Sequence, residues 1–296
     1  MEIVVEIGTP EQNELIRLEL RLFSEVVRRS ELPLEIVLVV VPSDFDKKVN
    51  ELQSTSTYRS IRGVGDLPIA TLAKVMELPD GVAIVLSPLL FAECHDAQTR
   101  CFVYLHEIAH AVHKKTFPQL DEDYSSTGIY LGNIYRLFDE YSANRFAFGL
   151  IDGVFPSKGA LWQAFIDDDI AGFVTIINDP KYYSTIKNEI LAFRFHGDVT
   201  KFTERIHPSL SEVALSTAHL YSIFDHYPST GAQADLVNSK FVNEKARGLI
   251  GYFKMKHEHD ECNLNDGLDL IAEFMTNFGM RFEDTPQGMY THVLDI

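Results

Sequence analysis

The sequence predicts an α+β protein with a small sheet in its N-terminal part and a mostly helical C-terminal region. Two short β-branched runs near the N-terminus are apolar on both faces, as in buried strands, whereas residues beyond about 98 show mainly helical periodicity. Asp179-Pro180 and His207-Pro208 interrupt that periodicity. We therefore expect two domains, residues 1–195 and 196–296.

Composition narrows the classes of function. The 296 residues are 46% hydrophobic and 23% charged, which indicates a folded core rather than a disordered chain. The net charge of −17 argues against direct nucleic-acid binding, because an anionic surface repels phosphate backbones. The first residues lack the charge pattern of a secretory signal, and the longest apolar runs, 36–41 and 81–92, are too short to span a membrane. With only three cysteines, the expectation is a cytoplasmic protein whose oligomeric state the sequence does not indicate.

The first predicted element is a helix that begins after Thr9. Thr9 as N-cap, Pro10 at the first helical position and Gln12 two residues further on form a capping-box pattern. The apolar positions of this helix recur at helical spacing and are expected to face the core. They are Leu15, Leu18, Leu22 and Val26, with Ile16, Leu20, Phe23 and Val27 beside them.

Two buried strands are predicted next, over residues 34–41 and 81–86. Pro42 ends the first, and a Pro79-Asp80-Gly81 turn opens the second. Residues 53–66 are rich in Ser, Thr and Gly and indicate a loop or an irregular edge.

The remaining pattern is helical. We predict one amphipathic helix over 98–114 and another over 129–149 that ends at Gly149, with a polar connection over 116–128 between them. Further helices are expected over 209–225, about 234–259 and 265–278.

The helix over 98–114 contains the motif HEXXH, at His106, Glu107 and His110. Two histidines four residues apart lie on the same helix face, so both imidazoles can reach one tetrahedral zinc ion. Glu107 is placed to act as a general base on a zinc-bound water. The motif also follows a buried strand and lies in a helix whose other face can pack. These features predict a catalytic Zn²⁺ site.

A catalytic zinc site needs a third protein ligand, and the next helix offers one. Glu140 is our candidate, with the neighbouring Asp139 as the rival that helical phase does not exclude. Ala143 is small enough to allow close approach of the helix. Asn144 can hydrogen-bond the second ring nitrogen of a ligand histidine.

HEXXH followed by the pattern ExxANxFA, here from Glu140 to Ala147, resembles the ImmA/IrrE family of zinc metallopeptidases, whose members cut or regulate repressor proteins in bacteria and phages. The resemblance covers about residues 80–152. It implies a gluzincin-like, zincin-type fold in which His106, His110 and Glu140 bind zinc and Glu107 is the general base. Family members often carry or accompany a helix-turn-helix segment, for which this sequence shows no convincing candidate.

The sequence therefore favours a zinc metallopeptidase that hydrolyses a peptide bond in a protein substrate, such as a regulatory or repressor protein. The acidic surface would suit a basic DNA-binding regulator as substrate or partner. The alternative function is a zinc-bearing regulator that sequesters a partner without cleaving it. A third interpretation, a chance motif in an interaction module, predicts no metal.

Several other groups have weaker claims to function. His113 is expected on the helix surface or beside the site, and Cys94, His95 and Cys101 lack a paired partner at zinc-finger spacing. The run His257–Cys262 is interpreted as a solvated helix end. Asp167–Asp169 is interpreted as an acidic helix N-terminus. The candidate tyrosine donors to a tetrahedral oxyanion are Tyr130, Tyr135 and Tyr141, among which the sequence does not choose.

Overall fold

A computed structural model describes residues 1–59, 61–64, 67–118, 125–155, 157–228, 230 and 237–296, with the side chains of 61–64 and 67–70 left out. The chain adopts an α+β fold with a small mixed sheet, as predicted. It forms two compact units. Unit 1 comprises residues Met1–Lys115 and Arg145–Asp167, and unit 2 comprises Thr116–Asn144 and Asp168–Ile296. The functional division near residue 195 stays a prediction.

Unit 1 is built around a four-stranded sheet. Its strands are β1 (Glu2–Val5), β2 (Ile36–Val41), β5 (Ala73–Leu78) and β6 (Gly81–Leu86), in the order β1-β2-β6-β5. The first three strands in that order run parallel, and β5 pairs antiparallel with β6 at the edge. A separate antiparallel hairpin consists of β3 (Ile61–Val64) and β4 (Leu67–Ala70). The two predicted strands are confirmed as β2 and β6, whereas β1, β5 and this hairpin were not predicted.

Gly81 is required where β5 turns into β6. Its φ of 149° lies outside the range that L side chains readily adopt, and an added Cβ would lie 2.4 Å from the carbonyl oxygen of Glu35. The turn predicted at Pro79-Asp80-Gly81 is therefore confirmed, and it joins two antiparallel strands.

Five helices lie wholly or partly in unit 1 among the residues described: α1 (Pro10–Arg29), α2 (Phe45–Leu52), α3 (Ala97–Thr116), α4 (Ser126–Val154) and α5 (Ala160–Asn178). The capping box of α1 is present. Thr9 Oγ1 accepts a hydrogen bond from the Gln12 N–H, and Gln12 Oε1 accepts one from the Thr9 N–H. A cluster of apolar side chains from α2 and the sheet fills one part of the core: Val40, Phe45, Val49, Met76, Ala83 and Val85.

The prediction for the apolar face of α1 is only partly right. Leu20, Phe23 and Val27 are buried, but Leu15 and Leu22 are each 67% exposed and Leu18 is 47% exposed. Two overlapping apolar stripes share this helix, and periodicity alone does not indicate which of them meets the sheet. The stripe that includes Leu20 is the one that packs.

Unit 2 is mainly helical. Its own helices are α6 (Pro180–His196), α7 (Val199–His226), α8 (Glu244–Glu258) and α9 (Leu268–Met275). An antiparallel hairpin of β7 (Met280–Thr285) and β8 (Gly288–Val293) follows them and was not predicted. Within the described part of the chain, none of the helices has the length and apolar run that a bilayer crossing needs.

Helix boundaries differ from the predicted ones in several places. α4 continues past Gly149 to Val154 because Phe148 and Ile151 on either side of the glycine are buried and fix the helix there. α7 begins ten residues before the predicted start and carries Pro208 inside it. α8 begins at Glu244 with Asn243 as its N-cap, later than predicted. The connection predicted over 116–128 is partly taken up by the ends of α3 and α4, and its residues 119–124 lie outside the described part of the chain.

The interpretation of Asp167–Asp169 as a helix N-terminus is wrong. These residues lie in the middle of α5, whose first turn carries no acidic side chain. The macrodipole therefore does not explain them. Burial raises the pKa of Asp169 to about 7, and the neighbouring Asp168 carboxylate adds to the effect.

Candidate metal centre

Buried side chains hold the histidines of α3, in unit 1, in place, and one of these side chains, Phe102, lies one turn before His106 on the same face, with ring centroids 6.0 Å apart. Leu105 and Ile108 are fully buried, and the Phe102 ring stacks on Phe148 with centroids 4.7 Å apart. Trp162 packs edge-on against Phe102 at 5.7 Å. This packing leaves α3 little freedom to rotate about its axis.

His106 and His110 lie one turn apart on the half-buried side of α3. Their Nε2 atoms are 2.9 Å apart, and their rings are nearly perpendicular, at 89°. Two imidazole lone pairs at this distance repel each other unless a proton or a cation lies between them. The predicted pair could therefore hold a metal ion or a shared proton.

Glu107 occupies the position between the two histidines in sequence and is held by the sheet. Its Oε2 accepts a hydrogen bond of 2.7 Å from the backbone N–H of Val75, on the edge strand β5. This hydrogen bond fixes the orientation of the carboxylate. Glu107 is thus placed as an oriented proton acceptor.

Glu140, the predicted third ligand, belongs to one of two groups among the described residues that could hold a metal ion. His106, His110 and Glu140 form the first group, in which the ligand atoms all lie within 4.8 Å of one another. His110, His113 and Asp139 form the second. Asp139, the rival to Glu140, therefore remains a candidate metal ligand. His113 is a candidate as well, although the sequence pattern placed it only on the helix surface or beside the site. The two groups share His110, so they describe alternative ligand sets.

Asn144 does hydrogen-bond a histidine, and that histidine is His219. Asn144 Nδ2 lies 2.7 Å from His219 Nδ1 and 3.0 Å from Ser222 Oγ. On its other side, His219 Nε2 lies 3.4 Å from Glu140 Oε2. His219 on α7 was not predicted as a functional residue. The signal that could have found it is the polar series Ser216, His219 and Ser222 at every third position of an otherwise apolar, buried stretch of α7.

The three tyrosines named as oxyanion donors make structural hydrogen bonds inside unit 2. Tyr141 donates to Asp225 Oδ2 at 2.7 Å, and Tyr130 is bonded to the backbone of Phe282. Tyr135 accepts from the Leu264 N–H at 3.1 Å. All three are buried, so each hydroxyl contributes to the packing of its own unit.

The other polar groups stay outside the candidate site. Cys101 is buried, which raises the pKa of its thiol to about 12, and Cys94 is exposed. His257 lies in the last turn of α8 and its Nδ1 is 2.9 Å from Ser142 Oγ, so the predicted helix end is confirmed there. Neither group is among the potential metal sites of the described residues.

No family model, no curated protein and no solved structure matches this chain.

Proposed function

We propose that this protein is a zinc-dependent metallopeptidase that hydrolyses a peptide bond in a protein substrate. The observation that carries the proposal is the group of His106, His110 and Glu140, whose ligand atoms lie within 4.8 Å of one another. Glu107, held by the edge strand through Val75, supplies the base that a purely structural metal site does not need. The resemblance of HEXXH and ExxANxFA to the ImmA/IrrE metallopeptidases supports the same function.

The residues fit zinc by their chemistry. Two imidazole nitrogens and one carboxylate oxygen are a usual ligand set for catalytic zinc, which keeps its fourth position open. Two nitrogens bound to one tetrahedral zinc ion lie about 3.4 Å apart, so the His106 and His110 nitrogens, now at 2.9 Å, would separate slightly on binding. Zinc in such a site supplies a Lewis acid that polarises a carbonyl group and acidifies a water molecule.

Glu107 carries out the proton transfers in this proposal. Its carboxylate takes a proton from the attacking water while the water oxygen forms a bond to the scissile carbonyl carbon and the carbonyl π electrons move onto oxygen. When the C–N bond breaks, Glu107 returns that proton to the departing amine. The hydrogen bond from Val75 keeps the carboxylate oriented through both transfers.

We further propose a substrate with a basic surface, of which a DNA-binding regulatory protein is the leading example. The net charge of −17 supports this, since an acidic protein attracts cationic partners and hastens their association. A cytoplasmic location would suit such a substrate and is part of the same proposal.

Metal content is the first test. The protein is purified, incubated with zinc, desalted and analysed by elemental mass spectrometry, beside Glu140→Ala and Asp139→Ala. We expect about one zinc ion per chain in the unsubstituted protein and in Asp139→Ala, and loss of zinc in Glu140→Ala. The reverse result for the two variants would assign the site to His110, His113 and Asp139. An unsubstituted protein without zinc would reject the proposal.

The second test separates an enzyme from a zinc-bearing regulator. Glu107→Gln should keep its zinc, because Glu107 is not a ligand, and should lose hydrolysis of quenched-fluorescent casein by more than about a thousandfold. Zinc binding without cleavage in the unsubstituted protein would favour the regulator that sequesters a partner. A Glu107→Gln variant that cleaves at the normal rate would reject Glu107 as the base.

A further inference from the structure

Helix α1 of unit 1 carries a row of leucines on its exposed side. Leu15, Leu18 and Leu22 recur at intervals of three and four residues, so they lie in one line along the helix, and all three are exposed. Single surface leucines are common, but a contiguous apolar row is typical of a surface that binds another protein. We call this row the α1 stripe.

The α1 stripe is held on the outside because the opposite face of α1 is already packed. Leu20 is fully buried, and the Phe23 ring lies 5.9 Å from the Tyr104 ring of α3, by centroids. The Ser24 hydroxyl is hydrogen-bonded to the Tyr104 hydroxyl at 2.8 Å. Turning the α1 stripe inward would need about half a rotation of the helix, which would expose all of these side chains.

The apolar surface continues beside Leu15. A groove of about 470 Å³ opens there, also within unit 1. Its apolar lining consists of Ile7, Leu15, Ile16, Pro88, Phe91 and Ala92, with Gln12, Glu19 and Arg100 as the polar side chains. The groove extends the α1 stripe toward the roughly 800 Å² that each partner buries in an interface of standard size.

The charges of α1 point to a second copy of this chain as the occupant. The whole chain carries a net charge of −17, whereas α1 carries four glutamates and four arginines and is neutral. Two strongly acidic molecules repel each other over most of their surfaces, so a neutral helix is where two copies can meet. A basic partner would be attracted to acidic parts of the surface instead.

The distribution of these charges also gives a direction. Glu11 lies before the α1 stripe, and Arg28 and Arg29 lie after it. In a parallel pair of helices, like charges from the two copies would face each other, whereas an antiparallel pair places glutamate against arginine at both ends. A twofold axis between Leu18 and Leu22 gives this pairing and closes after two copies.

We propose that the α1 stripe is the interface of a homodimer in which two copies pack α1 against α1 in antiparallel orientation. The stripe and its groove lie wholly within unit 1, so the dimer does not depend on the proposed peptidase function. Because three leucines make a short interface, we expect a dissociation constant of about 1–50 µM.

The test is sedimentation equilibrium of the full chain from about 1 µM to about 200 µM. The mass of the unsubstituted protein should rise from 33.6 kDa to twice that value. Leu18→Glu should stay monomeric throughout, whereas the matched control Leu191→Glu should dimerise normally, since Leu191 on α6 is exposed to a similar degree. Circular dichroism and urea denaturation should show that both variants are folded.

Two outcomes would overturn the homodimer. An unsubstituted protein that is monomeric at about 200 µM would leave the α1 stripe for a partner of different sequence. A Leu18→Glu variant that dimerises as well as the unsubstituted protein would place the interface elsewhere.

Charge exchange tests the antiparallel orientation. Glu11→Arg and Arg29→Glu should each weaken the dimer about fivefold, because each places like charges opposite one another in the two copies. The double variant Glu11→Arg/Arg29→Glu should restore the original dissociation constant, since it only exchanges the two ends of every pair. Single variants without effect, or a double variant as weak as the single ones, would overturn the antiparallel arrangement.

Discussion

The helices α3 and α7 each carry half-buried histidines, yet different groups face the ring nitrogens on the two helices. On α3, His106 and His110 point Nε2 atoms at each other from 2.9 Å, an arrangement that needs a cation or a shared proton. On α7, His219 receives a hydrogen bond at Nδ1 from Asn144, so its Nε2 carries the proton. The first pair offers lone pairs, and the second ring offers an N–H.

The two surroundings differ in the group that faces a ring nitrogen. The nitrogen of another imidazole faces each Nε2 atom on α3, whereas the amide group of Asn144 faces Nδ1 of His219 on α7. A ring that accepts from an amide NH₂ group at one nitrogen carries its proton on the other when it is neutral. The predictions below test whether this difference between α3 and α7 holds.

The largest effect should come from the α3 histidines. His106→Ala removes a ligand, and we expect loss of zinc and a fall in casein hydrolysis of more than about a thousandfold. His113→Ala, on the same helix two turns away, should keep zinc and activity. Elemental analysis and the peptidase assay check both variants. If His113→Ala loses zinc and His106→Ala keeps it, the ligand set is His110, His113 and Asp139.

The next effect concerns the packing behind each histidine. Phe102 is buried beneath α3 against Phe148 and Trp162, so Phe102→Ala should lower the free energy of unfolding by about 3–5 kcal/mol. Phe173, which stacks on His219, is only half-buried, and Phe173→Ala should cost about 1–2 kcal/mol. Urea denaturation measures the free energy of unfolding of both variants, provided that its dependence on urea concentration is the same for all the proteins compared. Equal losses would mean that the two histidine environments are supported alike.

The smallest effect is a pH dependence of stability that arises from Asp169, on the same helix as Phe173. Asp169 lies one helical turn before Phe173, and burial raises the pKa of its carboxyl from 3.8 to about 7 in the folded protein. The folded state therefore holds a proton that the unfolded chain has released, and stability falls as pH rises from about 4 to about 7. Above about pH 7 the stability falls no further, because the Asp169 carboxyl is then ionised in both states. Asp169→Asn should stabilise the protein at pH 8 by about 1–2 kcal/mol, after allowance for partial exposure.

The control for Asp169 is its exposed neighbour. Asp167→Asn should change the free energy of unfolding by less than about 0.5 kcal/mol at any pH. Urea unfolding of both variants at pH 8 and pH 5.5 gives the comparison, and the advantage of Asp169→Asn should shrink at the lower pH. A constant difference would show that the Asp169 carboxyl titrates normally.

Local features of the fold could be predicted from the sequence. The capping box at Thr9, the turn at Gly81 and the helix around His106 depend on residues within one or two turns of each other, and each is confirmed. The strand β5 was missed because its residues Ala73–Leu78 mix Lys and Glu with apolar side chains, as an edge strand can.

Features that depend on tertiary packing could not be predicted in the same way. Which stripe of α1 faces the sheet is decided by the sheet, so Leu22 was assigned to the core and is exposed. In the hairpin β7–β8, apolar and polar residues alternate only over the first four residues of β7, and β8 shows no such alternation, so the pattern is too short to predict a hairpin.

The candidate site shows the same limit. His106, Glu107 and His110 form a contiguous motif, but His219 gains its tautomer from Asn144, 75 residues away, and its stacking partner Phe173 comes from a third helix. No spacing rule links these positions. The sequence predicted that Asn144 would hydrogen-bond a ligand histidine, whereas the structure places it against His219, which belongs to neither potential metal group of the described residues.

The hydrogen bond that holds Glu107 comes from a backbone N–H, and this affects how the chain can change during evolution. Any residue at position 75 except proline supplies the same donor, so mutations there can alter packing without releasing the base. The orientation of Glu107 therefore depends on the backbone path of strand β5 and not on which side chain stands at position 75. Substitutions at Val75 should therefore be tolerated for catalysis as long as the strand stays in place, and Val75→Pro stands apart as the one exchange that deletes the donor.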